Sequence, residues 1–114
     1  MANPIVRVSL GRFSADRYDT VKKLIEDSAN PLVPALRRLH GLLYYHAAVD
    51  SQTNTVVNFS VWENLEAAKQ MDRLPEMLAQ RPILERAGVS FDRIANYEPL
   101  WNIGTAGHFG AGTA

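Results

Sequence analysis

The sequence predicts an α+β domain in which one antiparallel sheet carries its helices on a single face, and three observations lead there. Hydrophobicity alternates with a period of two over residues 5–10, where Val6, Val8 and Leu10 oppose Ile5, Arg7 and Ser9, and again over residues 57–62, where Val57, Phe59 and Val61 oppose Asn58, Ser60 and Trp62. The second of these stretches changes period at Asn64, so a strand feeds directly into a helix. Between them, Tyr18, Val21, Leu24, Ile25 and Ser28 recur at helical spacing. A chain of 114 residues, 46% of them hydrophobic, suits one domain.

Each element has a local cause. The first strand ends at Gly11, after which Ser14 offers an N-cap with Asp16 in the first turn. Pairs four apart, Asp19 with Lys23 and Lys22 with Glu26, mark that helix's solvated side. Asn30-Pro31 is expected to break the helix, with Pro34 opening a short second one that carries Leu36 and Leu39 as far as Gly41. Residues 42–49 are rich in branched and aromatic side chains and precede the turn-like run D-S-Q-T-N-T, which predicts a hairpin with the strand at 55–62. Asn64 is placed to cap the next helix, with Glu66 in its first turn and Leu65, Ala68, Met71 and Leu74 as its buried stripe. Pro75 and Pro82 divide the segment beyond it into a bent helix or consecutive short ones, closed by Gly88 in a left-handed conformation. A last strand runs over residues 90–97, with an extension to Trp101 open. Residues 1–103 form the domain, and the glycine-rich 104–114 is expected to be a loose tail.

Strand, helix, strand, strand, helix, strand is the split β-α-β order of ferredoxin-like folds, here with a four-stranded antiparallel sheet. Both helices then lie on one sheet face. The uncovered face, taken to carry Ile5, Trp62 and one of Tyr44 and Tyr45, is too apolar to leave wet, so a second copy is expected to cover it, giving a homodimer with an enclosed interior.

Composition excludes several function classes. Twelve Lys and Arg balance twelve Asp and Glu, with no basic cluster longer than two residues, which argues against nucleic acid or an anionic membrane as partner. Cysteine is absent, the N-terminus lacks the apolar core of a signal peptide, and no run reaches transmembrane length, so a cytoplasmic protein is expected. His40, His46 and His108 show no metal-ligand spacing, and no glycine-rich nucleotide loop or G-x-S-x-G occurs in strand-to-helix context, so neither metal nor cofactor is expected.

With L-H-G-L-L-Y-Y opening the second strand, S-V-W-E-N-L-E-A-A at the third and R-A-G-V-S-F before the fourth, residues 4–101 resemble the antibiotic-biosynthesis-monooxygenase-like branch of the dimeric α/β-barrel superfamily. The resemblance implies a dimeric α/β barrel with a pocket lined by an indole at the position of Trp62. It brings a choice of activities: cofactor-independent oxidation of aromatic phenols to quinones, haem degradation, or isomerisation. Haem degradation is disfavoured, because that branch pairs its tryptophan with an asparagine on the first strand and a histidine on the second helix. Here Arg7 and Ser9 occupy that strand, and no histidine lies between Asn64 and Gly88.

Each candidate residue admits a structural and a functional role. Trp62 is either a pocket wall or a large core residue whose N–H finds an acceptor. Asn58 and Ser60, on its face, must bond each other, water or a ligand, since burial without partners costs on the order of 1–3 kcal/mol each. Arg7, beside Ser9, needs a counter-charge, either Glu98 or Asp92 or an anionic ligand. His46 shares a strand parity with Tyr44 and is either a hydrogen-bonded structural residue or a base near neutral pH. A one-residue slip would replace this pair by Tyr45 and Ala47. The expected function is a cofactor-free monooxygenase acting on a small aromatic or quinol-like ligand, with His46 or Tyr44 handling the proton, Asn58 and Arg7 stabilising an oxyanion, and Trp62, Ser9 and Ser60 contacting substrate. A non-catalytic binding or assembly protein, and an isomerase or lyase acting on a small ring, are the alternatives.

Overall fold

A computed structural model of the chain describes residues 3–103; the tail expected at 104–114 lies outside the described residues. Strand β1 (Ile5–Arg12) leads through a 3-10 turn (Ala15–Arg17) into helix α1 (Tyr18–Arg37). Strands β2 (Leu42–Asp50) and β3 (Thr55–Trp62) form the hairpin, succeeded by α2 (Leu65–Ala68), a second 3-10 turn (Lys69–Asp72), α3 (Pro75–Leu78) and α4 (Gln80–Arg86). The chain then adds β4 (Ser90–Phe91) and β5 (Ala95–Tyr97). Every pairing is antiparallel, in the order β2-β3-β1-β4 with β5 also on β1. This is the expected ferredoxin-like arrangement, with its fourth strand in two pieces. Phe91 pairs with Gly11 and Tyr97 with Val6, while residues 92–94 leave the ladder. At the break Asp92 keeps a backbone bond to the Leu10 carbonyl (2.8 Å), and its carboxylate meets Arg12 at 3.0 Å.

Two local expectations are corrected. Helix α1 runs unbroken through Pro31 and Pro34. Both prolines sit on its exposed side, where the carbonyls that lose an amide partner can turn to water, while Val21, Ser28, Leu32, Ala35 and Leu36 hold the opposite stripe in the core. Ser14 makes no cap; its hydroxyl bonds Asp16, and the helix begins from the 3-10 turn instead. Other local readings hold. The Asn64 side chain accepts the Ala67 amide (2.8 Å), Gly88 closes α4 with φ +101°, and the segment after Asn64 is a string of short helices, although Leu65 is exposed rather than buried. Gly41, at φ +78°, makes the bend into β2, and its carbonyl takes the Glu63 amide at 2.8 Å, tying the two ends of the hairpin together.

The core is two clusters at opposite ends of one sheet face. Trp62, wholly buried, packs with Leu32, Leu36, Ala67 and Met71; Val56, six residues back on the same strand face, packs with Val21, Leu84 and Val89. Because β3 alternates, Asn58 and Ser60 occupy the same face between the clusters. Arg7 and Ser9 stand directly opposite them on β1, Tyr45 and Ala47 on β2. The half-polar side of the sheet, expected to be the uncovered one, thus faces the helices. The side that carries no helix is the more apolar one, with half-buried Val6, Val8 and Leu10 of β1 beside Phe59 and Val57 of β3, likewise half-buried, and Val61, which is already buried within the chain. Among the described residues no helix is long and apolar enough to cross a membrane.

Candidate functional site

Two apolar clusters separated by a strip of small polar side chains leave the middle of the sheet unfilled. A hollow of about 300 Å³ lies there, between the sheet and the short helices. Its floor is Arg7, Ser9, Tyr45, Asn58 and Ser60; Met71, Met77, Leu78 and Leu84 close it from the helices, with Phe91 and Ile94 at the broken strand.

Arg7 is almost fully buried and bonds Asp72 at 2.6 Å through Nη2; Nη1 makes a longer contact, 3.4 Å, to the Asn96 side-chain oxygen. The counter-charge is therefore Asp72, at the end of the second 3-10 turn, and neither Glu98 nor Asp92, which is engaged with Arg12. Asp72 is itself 57% exposed, so one member of this pair stays solvated. The guanidinium keeps capacity for a further acceptor, since its planar fork carries five N–H donors.

Trp62 does not line the hollow. Its indole N–H donates to the Ser60 hydroxyl at 2.9 Å, inside the core. A hydroxyl that accepts this bond still has its own proton to give, so the tryptophan fixes Ser60 as a donor. The indole acts on the site through one side chain.

Tyr45 is the residue that sequence reasoning left as the slip alternative. A register shift between Leu42 and Tyr44, a bulge at the start of β2, turns Tyr45 to the helix side opposite Ser60. Its hydroxyl is buried without a hydrogen-bond partner among the described residues. Burial pushes the phenol up to about 12, against a smaller opposing pull from Arg7, so it is a neutral donor at physiological pH. The bulge is also why Tyr44 and His46 are not brought to Asn58. The Tyr44 hydroxyl lies 3.1 Å from His46 Nδ1, and both rings pack on Phe59, with the imidazole stacked at 5.2 Å, on the side of the sheet away from Asn58 and Ser60.

Arg7, Ser9, Asn58 and Ser60 thus line one hollow, but on the helix side of the sheet and not on the side expected to meet a second copy; Trp62 stands behind it, and Tyr44 and His46 stand across the sheet. Tyr45, Asp72 and the methionines were missed as site residues. An aromatic pair, Tyr44-Tyr45, beside Gly41 was the one signal that a bulge could choose between them. Chemically, the arrangement is a set of uncharged and cationic donors among apolar walls, with the two carboxylates of the lining, Asp72 and Asp92, already paired to Arg7 and Arg12, and it suits an oxygen atom carrying negative charge.

No family model matches the sequence, and no protein of curated function does either. Solved structures do match. A candidate antibiotic biosynthesis monooxygenase from Deinococcus radiodurans superposes with a TM-score of 0.67 at 24% identity, covering 88% of this chain and 96% of its own. A second such protein, from Chloroflexus aurantiacus, gives 0.57 at 18% identity over 89% and 97%. SnoaB, a cofactor-independent oxygenase from Streptomyces nogalater, gives 0.61 at 16% identity over 90% and 98%. Over most of its length, the chain has the ferredoxin-like α+β fold of the antibiotic biosynthesis monooxygenase structures.

Proposed function

We propose that the protein is a cofactor-independent monooxygenase of small aromatic or quinol-like phenols, which it binds in the hollow between sheet and helices. The observation that carries this reading is the Tyr45 hydroxyl, buried and unpartnered among the described residues, on the floor that also holds Arg7, Asn58 and Ser60. A buried donor without a partner is unfavourable in the free protein and becomes favourable only when an acceptor arrives. A phenolate oxygen meets that need, and the apolar walls suit the ring that bears it. The fold shared with SnoaB supports the reading.

In the reaction the substrate gives up a proton to solvent water, and Arg7, Tyr45, Asn58 and Ser60 hold the resulting oxyanion. The charge delocalises onto a ring carbon, which transfers electrons to dioxygen and forms a C–O bond to it. For an activated methylene, the peroxide then loses its second C–H proton as the O–O bond breaks. The CH2 becomes C=O, one oxygen atom stays in the quinone and the other leaves as water, so no external reductant is required. Trp62 keeps Ser60 oriented from behind the hollow, while Ser9 lies along the ligand. His46 and Tyr44, across the sheet, take no part. A second copy covering Val6, Val8, Leu10 and Phe59 would form the homodimer.

Among the described residues no histidine lines this hollow, and its two aspartates are both held by arginines, which favours as second reading a protein that binds such ligands without turnover. Oxygen-electrode traces with anthrone-like and quinol substrates decide. Uptake of dioxygen with one of its atoms recovered in the quinone and the other in water supports oxygenation; tight binding with no uptake across the panel leaves the binding reading.

A further inference from the structure

A second hollow, about 340 Å³, lies beneath α1 on the β2 side of the first. The two share a wall, because Tyr45, Asn58, Met77, Gln80 and Leu84 line both. Their chemistry differs. The floor of the front hollow holds the donors described above. The α1 side of the rear one is Ile25, Ala29, Leu32, Val33 and Leu36, and the hydroxyl of Ser28 there is already spent on the Ile25 carbonyl at 2.6 Å. Glu26 is exposed on the same helix, so its charge stays in water, and His46, also exposed, lines the chamber from β2 next to Ala47. One chamber is suited to a charged oxygen and the adjoining one to hydrocarbon.

From this the geometry points to an amphiphilic ligand: a phenol or quinol whose ring sits in the front hollow and whose flexible alkyl chain passes the shared wall into the chamber beneath α1. Two features favour a chain over further fused rings. The shared wall is made of side chains, and two of them, Met77 and Gln80, are unbranched and can shift by rotamer changes that would admit a thin chain but not a rigid plate. The chamber also borders exposed positions on α1 and β2, Ala29 and Ala47, so a chain longer than the cavity has a way out to the surface. Burying methylene groups there would provide most of the affinity, and the donors of the front hollow would set which end carries the oxygen.

This inference rests on the reading of the front hollow as a phenol site, and the test separates the two. Resorcinol and 4-hexylresorcinol are titrated calorimetrically into the wild-type chain and into the Arg7→Ala, Ala29→Trp and Val33→Trp variants. Ala29 and Val33 lie on the exposed flank of α1, so an indole placed at either enters the rear chamber without replacing a core residue, and thermal melting confirms that each variant is folded. The expected result is that the hexyl chain tightens wild-type binding by roughly tenfold or more. Ala29→Trp and Val33→Trp should each remove that gain and leave resorcinol unaffected. Equal affinity for the two compounds, with resorcinol held in an Arg7-dependent way, overturns the inference alone. So does a gain that survives both tryptophan variants. Failure of resorcinol to bind, or binding indifferent to Arg7→Ala, overturns the phenol site and the inference with it.

Discussion

Replacing Tyr45 by phenylalanine should make the protein more stable and less able to hold an anion. The hydroxyl is buried without a partner among the described residues, and such a group costs about 1–3 kcal/mol in the ligand-free state. Its removal leaves the ring and its packing in place, so the melting temperature should rise by roughly 4 °C per kcal/mol recovered for a chain of this size. Binding moves the other way. A hydrogen bond to a charged oxygen contributes about 1.5–3 kcal/mol, so affinity for a phenolate should fall by roughly tenfold to a hundredfold. The pH dependence provides an independent sign. Burial holds the folded-state phenol at about 12, above its ordinary value of 10.0. Below pH 10 the group is protonated in folded and unfolded chains alike, and stability is full. As pH rises from 10 towards 12 the unfolded chain loses this proton while the folded one retains it, so about 2–3 kcal/mol of stability drains away in that window. The Tyr45→Phe protein lacks that portion of the alkaline loss. Differential scanning calorimetry from pH 7 to 12, with and without a phenolic ligand, reads all three effects. A variant that melts lower than wild type and binds phenolate equally well would show that the hydroxyl has a partner in the free protein and no part in the site.

Ser60→Ala leaves the Trp62 N–H buried without an acceptor and should lower unfolding free energy by about 1–3 kcal/mol in urea titrations; adding Trp62→Phe should cost less than the two single changes together, because both break the same bond. Asp72→Asn removes the counter-charge of a buried guanidinium, and should reduce thermal stability while tightening phenolate binding, a pairing of opposite signs measurable by melting and titration of the same sample. His46→Ala acts across the sheet from the front hollow, so the affinity for a phenol without an alkyl chain and any oxygen uptake should stay at wild-type levels. A large loss of either in this variant would return the imidazole to the site.

Much of the fold was legible because its causes are local. The Asn64 cap, the Gly88 terminus and the hairpin around residues 50–55 each depend on side chains a few positions apart. Pro31 and Pro34 misled for a physical reason: a proline breaks a helix when the freed carbonyl is buried, and whether it is buried depends on which flank faces the core. The choice of sheet face was illegible in the same way. Both sides of β1 and β3 carry apolar residues, and burying the half-polar side against the helices is favourable only because two apolar clusters anchor its ends, a fact of tertiary packing. Arg7, Ser9, Asn58 and Ser60 could be gathered from strand parity alone. Tyr45 could not, because a bulge of one residue reverses parity and leaves composition unchanged. Nor could Asp72, sixty-five positions along the chain from Arg7.

The bond from the indole of Trp62 to Ser60 makes one side chain answer to two masters, since the residue that completes the interior also lines the hollow. Any attempt to reshape the hollow by substitution at position 60 will therefore unsettle the foundations at position 62, and laboratory evolution of this protein should recover changes at the two positions together more often than at either one alone.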